Sequence, residues 1–172
     1  MNALRLPLLG ILYVLAGAGA AAPAPDPTTT PTGLVRSLEA AYANRNIDAY
    51  RTLLADDFRF ITGDPMSEGA SWGLDEDLAG TGRLFGKEDV LDLRMTFTVR
   101  SVKPAPPGNG GMTMVEAGGS MEVTQAGPDP DGPPTVLHIE GDNTFYLRRG
   151  RTAAEARSGE GKELFIVVWR SN

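Results

Sequence analysis

The chain reads as an α+β domain, a cone-shaped, curved antiparallel β-sheet with N-terminal helices packed over its concave face. Three observations predict this class. Residues 34–60 hold two short amphipathic helices in succession with a polar break between them. From Leu91 to Val99 the apolar residues switch to a period of two, and three further strand-like segments follow. Glycines fall inside those segments and Gly/Pro loops between them, where long antiparallel strands bend and return.

The chain opens with one basic residue, Arg5, then an apolar run from Leu6 to Ala18 that ends in small residues. This run is too short to span a membrane and has the length of a secretory leader core, with an Ala-x-Ala cleavage signal at Ala18 and Ala20. Residues 1–20 are therefore expected to be a signal peptide. Residues 21–32, rich in Pro and Thr, read as a solvated tether, and 33–172 as the folded domain. An exported location, periplasmic or extracellular, follows from the leader, as does the expectation that nothing inserts into a membrane after its removal.

In the first helix Leu34, Val35, Leu38, Ala41 and Tyr42 make one apolar face, with Arg36, Ser37, Glu39, Asn44 and Arg45 on the other. Thr32 offers a cap and the helix is expected to begin near Gly33. Asn46 or Asp48 supplies the break, and Tyr50, Leu53 and Leu54 the apolar face of a second helix. Residues 55–57 end it, and a strand starts at Phe58 and Phe60. Ser71 is expected to cap a third helix carrying Trp72, Leu74, Leu78 and Phe85, with Asp75, Glu76 and Asp77 in the first turn where the helix dipole favours acids. Leu91, Leu93, Met95, Phe97 and Val99 then alternate with polar residues in the clearest half-buried strand. Three further strands are read at 112–124, 135–149 and 163–170, with Gly118-Gly119 marking a bulge or bend and residues 150–161 a polar loop.

With 172 residues, 41% hydrophobic and 22% charged, the chain has material for one packed core. Without Arg5 and the rest of the leader, 15 basic residues face 22 acidic ones, a balance of −7. That balance argues against a nucleic-acid partner. With no Cys, an exported domain would rely on its core rather than on disulfides. One His and no Cys leave no clustered ligand set, so neither a metal site nor a cofactor site is expected. Asp129-Pro130-Asp131-Gly132 lacks the ligands that would follow in a calcium loop and reads as a turn. Arg148, Arg149, Arg151 and Arg157 surround a loop and read as a solvated hairpin rather than an anion site.

AYANRNIDAYRTLLADDFRF, followed by a third helix and four long strands that close on FIVVWR, resembles the nuclear transport factor 2-like superfamily, which includes ketosteroid isomerase, scytalone dehydratase and SnoaL-like cyclases. The resemblance covers residues 34–170. It implies a cone with an internal cavity, and its isomerase-like members imply an acidic base near the end of the first strand, a helix Tyr and a second acid on the sheet. Asp64 and Asp142 lie at about those two acid positions. Leu38 stands where the helix Tyr is expected, with Tyr42 one turn further on. The dehydratase-like members use a His-Asp pair, for which His138 is the one possible centre.

His138 shares a strand face with Glu140 and Asp142. Facing the cavity, the three would make an acid–base set. The apolar neighbours Leu137 and Ile139 favour the outer or subunit-interface side for them. The cavity lining is expected to combine Leu38 and Tyr42 from the first helix with Phe58, Phe60 and Trp72, and with Met95, Phe97 and Trp169 from later strands. The favoured reading of function is a non-catalytic module that binds a small apolar ligand or a protein partner. Two alternatives stand beside it. One is a cofactor-independent isomerase, dehydratase or cyclase using Asp64, Asp142, His138 or Tyr42. The other is a homodimer paired through the sheet, with its cavity filled.

Overall fold

In the computed structural model, residues 27–63, 70–127, 129 and 132–171 are described. The candidate leader, most of the tether and Asp64 lie outside them.

A 3-10 turn at Pro27–Thr29 leads into helix α1, Pro31–Ala43. Thr30, not Thr32, is the cap. Its hydroxyl accepts from Gly33 N at 3.1 Å, and Pro31, which has no N–H to satisfy, takes the first helical position. The buried face of α1 is Leu34, Val35, Leu38, Ala41 and Tyr42, as its spacing predicts. Arg45 turns the chain through a positive φ of 48°. Asn46 then caps α2, Ile47–Leu53, by accepting from Ala49 N at 2.9 Å.

Strand β1, Leu54–Thr62, begins four residues earlier than its alternation suggests, because Leu54 and Ala55 are wholly buried and Leu54 already lies opposite Ile166. A short strand β2, Ser71–Gly73, pairs with β1 and precedes α3, Leu74–Phe85. Three residues are too few to show a period, so β2 reads as a helix start in the sequence. The cap of α3 is the Glu76 carboxylate, which accepts from Gly73 N at 3.4 Å.

Strands β3, Val90–Pro104, β4, Thr113–Gln125, and β5, Thr135–Arg149, form a meander, and β6, Leu164–Ser171, closes the chain. The polar loop before β6 contains a helix, α4, Ala153–Ser158, whose Thr152 and Glu155 form a reciprocal capping box. The sheet order is β2-β1-β6-β5-β4-β3, a curved, unclosed six-stranded cone. It is antiparallel except where β1 runs parallel to β6, a long-range pairing without a local sequence signal.

Odd-numbered residues of β4 and β5 face the concave side, where Val115, Ala117, Val123, Phe145 and Leu147 are buried in one core with the apolar faces of α1 and α2. The register of β4 against both neighbours is unbroken at Gly118-Gly119. The irregularities lie on β3 instead, between Val90 and Asp92 and between Val99 and Ser101. Because β6 pairs only with residues 143–149 of β5, the first half of β5 runs past it and forms one rim of the cone.

Candidate functional site

Between the concave face and α3 lies a cavity of about 580 Å³, open at one end. Aromatic side chains from β1, β2, β3 and β6 stand in its wall. Phe60 and Trp72 stack at 4.7 Å with 16° between their planes, a consequence of the β1–β2 pairing that sets them opposite each other. Trp169, opposite Phe60 on the parallel strand β6, meets Phe60 edge-on at 5.0 Å and Phe97 at 5.9 Å. Tyr42, Met95 and Met121 add to the lining.

Part of the polar wall comes from α3. Asp77 is 6% exposed. Its Oδ2 accepts from the Tyr50 hydroxyl at 2.6 Å, and its Oδ1 from Trp72 Nε1 at 3.0 Å. Burial pushes its carboxyl above the usual range, while these two hydrogen bonds pull it back. Burial also raises both neighbouring phenols, that of Tyr42 to about 12 and that of Tyr50 well above its ordinary value. Both are therefore neutral donors at physiological pH. Tyr42, Tyr50 and Phe85 pack edge-to-face and fix the back of the site.

A second polar group, Asn143, sits on the sheet side. Its Oδ1 accepts from Trp169 Nε1 at 2.7 Å and its Nδ2 donates to the Gly141 carbonyl at 3.1 Å. Gly119 lies opposite Gly141, and a β-carbon there would collide with the Asn143 amide and come within 3.0 Å of the Phe97 ring. Gly119 thus makes room for the Asn143 amide and the Phe97 ring on the concave face.

Of the residues singled out from sequence, Tyr42, Phe60, Trp72, Met95, Phe97 and Trp169 line the cavity. Leu38 and Phe58 are buried in the core behind it and do not. Asp64 lies outside the described residues. His138 and Asp142 are on the convex face, where they share their side of β5 with Glu140. His138 lies 3.0 Å from Glu140 Oε1, and Asp142 pairs with Arg100, all four half or more exposed. Strand alternation gives the reason. A shift of one residue exchanges the faces, and the residue that enters the cone is Asn143, an amide, not Asp142.

Sequence reasoning missed Asp77 and Asn143. Asp77 looked like one of three first-turn acids, and only α3's docking against α2 and β2 distinguishes it from exposed Asp75 and Glu76. Arg148 was also misread as solvated. It is buried, with two hydrogen bonds of 2.8 Å to Asp57 and a third to the Arg151 carbonyl. Among the described residues no three His, Asp or Glu side chains gather as a metal ion would require, and no helix is long and apolar enough to cross a membrane.

No family model matches the chain, and no curated protein does. Solved structures do. A conserved protein from Planctomyces limnophilus superposes with a TM-score of 0.57 at 17% identity, covering 80% of this chain and 88% of the other. ActVI-ORFA from Streptomyces coelicolor gives 0.53 at 13% identity, covering 81% and 90%. A hypothetical protein of ketosteroid isomerase-like fold from Catenulispora acidiphila, solved with trimethylamine, gives 0.50 at 19% identity, covering 83% and 85%. Identities this low speak to fold alone. By its sheet order, its helix-covered cone and these likenesses, the chain is a nuclear transport factor 2-like protein in fold.

Proposed function

We propose that the cone is a binding site for a small, largely apolar molecule, and that Asp77 is the polar anchor of that site. The observation that carries this reading is the cavity itself. A volume of about 580 Å³ suits a small organic ligand, aromatic and Met side chains supply apolar wall, and polar groups from α3 and the sheet give it points of attachment. A cavity of this size also speaks against the alternative in which the cone is filled by its own side chains.

A second reading is favoured by one specific observation, the burial of the Asp77 carboxyl. An acid held above its usual pKa in a cleft is suited to accept a proton from a bound substrate. On this reading the chain would carry out cofactor-independent proton transfer with Asp77 in the role that sequence reasoning gave to Asp64 and Asp142. Export of the protein remains part of the proposal and rests on the leader-like residues 1–20.

The test is a fluorescence titration with Nile red, a neutral apolar dye, together with native mass spectrometry of protein purified from its export host without refolding. Saturable dye binding that a co-purified small molecule displaces is the expected result. A folded protein that neither enhances the dye nor carries any bound molecule would overturn the binding reading.

A further inference from the structure

Asp77 differs from the other deeply buried charge in the molecule. Arg148, equally buried, comes with its own counter-charge, the Asp57 carboxylate that it grips with two hydrogen bonds. Asp77 is the one buried acid among the described residues, and none of the ion pairs found there includes it. Its two partners, the Tyr50 hydroxyl and the Trp72 indole N–H, are neutral. Each carboxylate oxygen accepts one hydrogen bond where it has room for about two. A buried charge satisfied only by neutral donors remains electrostatically uncompensated, and a cation brought alongside would restore the balance.

The surroundings favour the same sign. Phe60, Phe97, Trp72 and Trp169 line the cavity, and the negative faces of such rings attract cations. The cavity lining carries two acids from α3, Glu76 and Asp77, against one cation, Arg83, and the whole chain has a formal charge of −6. An anionic ligand would be repelled by the Asp77 carboxylate. A neutral ligand would fill the volume but leave the carboxylate unpaired.

We infer that the ligand is a protonated amine on a small apolar or aromatic body, its ammonium beside Asp77 and its carbon frame against Phe60, Phe97 and Trp169. This inference rests on the reading that the cone binds a small molecule, and it adds the chemical class. The ammonium N–H groups donate to the free lone pairs of Asp77, and the rings take the alkyl or aryl body and share the positive charge.

The experiment compares three carbon bodies, hexyl, cyclohexylmethyl and 2-phenylethyl, each as the ammonium, the alcohol and the corresponding carboxylate. Binding to the wild-type protein is measured by calorimetry and by Nile red displacement. For at least one body the ammonium should bind about tenfold or more tighter than its alcohol, with the carboxylate weakest. Asp77→Asn should erase that preference and bring the ammonium down to the level of its alcohol. An alcohol that binds as well as its ammonium for every body, or an Asp77→Asn variant that weakens both equally, would overturn the amine assignment while leaving the binding site standing. So would dye binding that none of the nine compounds displaces. Failure of the dye and of all nine compounds to bind a folded protein that carries no bound molecule would overturn the cavity reading beneath it. If Asp77→Asn does not fold, the wild-type comparison of ammonium with alcohol decides alone.

Discussion

The hydroxyl of Tyr50 donates to Asp77 Oδ2 at 2.6 Å, tying α2 to α3 at the back of the cavity. A hydrogen bond to a charged acceptor contributes about 1.5–3 kcal/mol, so Tyr50→Phe should cost about 2 kcal/mol in urea denaturation. Tyr50 is also the stronger of the two donors holding the Asp77 carboxyl down. Its loss should therefore move the Asp77 titration further up, read from the side-chain carboxyl carbon by NMR. An unchanged titration would show that the bond is not formed in solution.

Asp77 and Asp57 should make opposite contributions to stability as pH changes. The Asp77 carboxyl is raised in the fold, mainly by burial, above its ordinary 3.8. The folded state then holds a proton that the unfolded state has released, so stability falls as pH rises from about 3.8 through the folded value. Asp77→Asn should remove that slope. The Asp57 carboxyl is lowered, chiefly by the Arg148 hydrogen bonds. Its contribution is complete above about 3.8 and is lost as pH falls through the depressed folded value. The measurement is the denaturation free energy of wild type, Asp77→Asn and Asp57→Asn from acid to neutral pH.

Breaking the Arg148 pair should be felt at neutral pH as well. Asp57→Ala leaves a buried guanidinium with only the Gly150 and Arg151 carbonyls. Because Asp57 is itself 52% exposed, the expected loss is about 1–2 kcal/mol, less than for a wholly buried pair. A variant as stable as wild type would mean that the pair contributes only packing.

Two glycines in the cavity wall should respond in opposite directions. A β-carbon on Gly80 would meet nothing closer than the flexible end of Arg83 at 3.9 Å, so Gly80→Leu should project into the cavity. It should weaken dye binding and stabilise α3 by about 0.5–1 kcal/mol through helix propensity. Gly119→Ala would press on the Asn143 amide and the Phe97 ring and should cost about 1–3 kcal/mol. Paired denaturation and Nile red titrations distinguish the two effects.

The leader reading predicts a mature chain beginning at Ala21. Intact mass and N-terminal sequencing of protein recovered from the periplasm or medium of an export-competent host should find it. Recovery of the full-length chain inside the cell would refute export.

What the sequence determined by itself was periodic and local. Leu34, Val35, Leu38, Ala41 and Tyr42 face one way because a helix repeats every 3.6 residues, and that face is buried whatever it packs against. The alternation from Leu91 to Val99 likewise announced β3 and placed Met95 and Phe97 together on one face. Short or non-local features were not legible. Three residues cannot display a period, so β2 passed for the start of a helix. The parallel pairing of β1 with β6 joins segments about a hundred residues apart and leaves no local trace.

The site was decided almost wholly by tertiary structure. Asp75, Glu76 and Asp77 are alike in sequence, and only the docking of α3 onto Tyr50 and Trp72 buries the third and leaves the others in water. On β5, Asp142 and Asn143 differ by one position. The twofold period of the strand turns that single step into opposite faces of the sheet, so an amide points into the cone and the acid points out. A pattern of residue types fixes which residues share a face. Which face encloses the cavity follows only from how the sheet curls and where the helices settle on it.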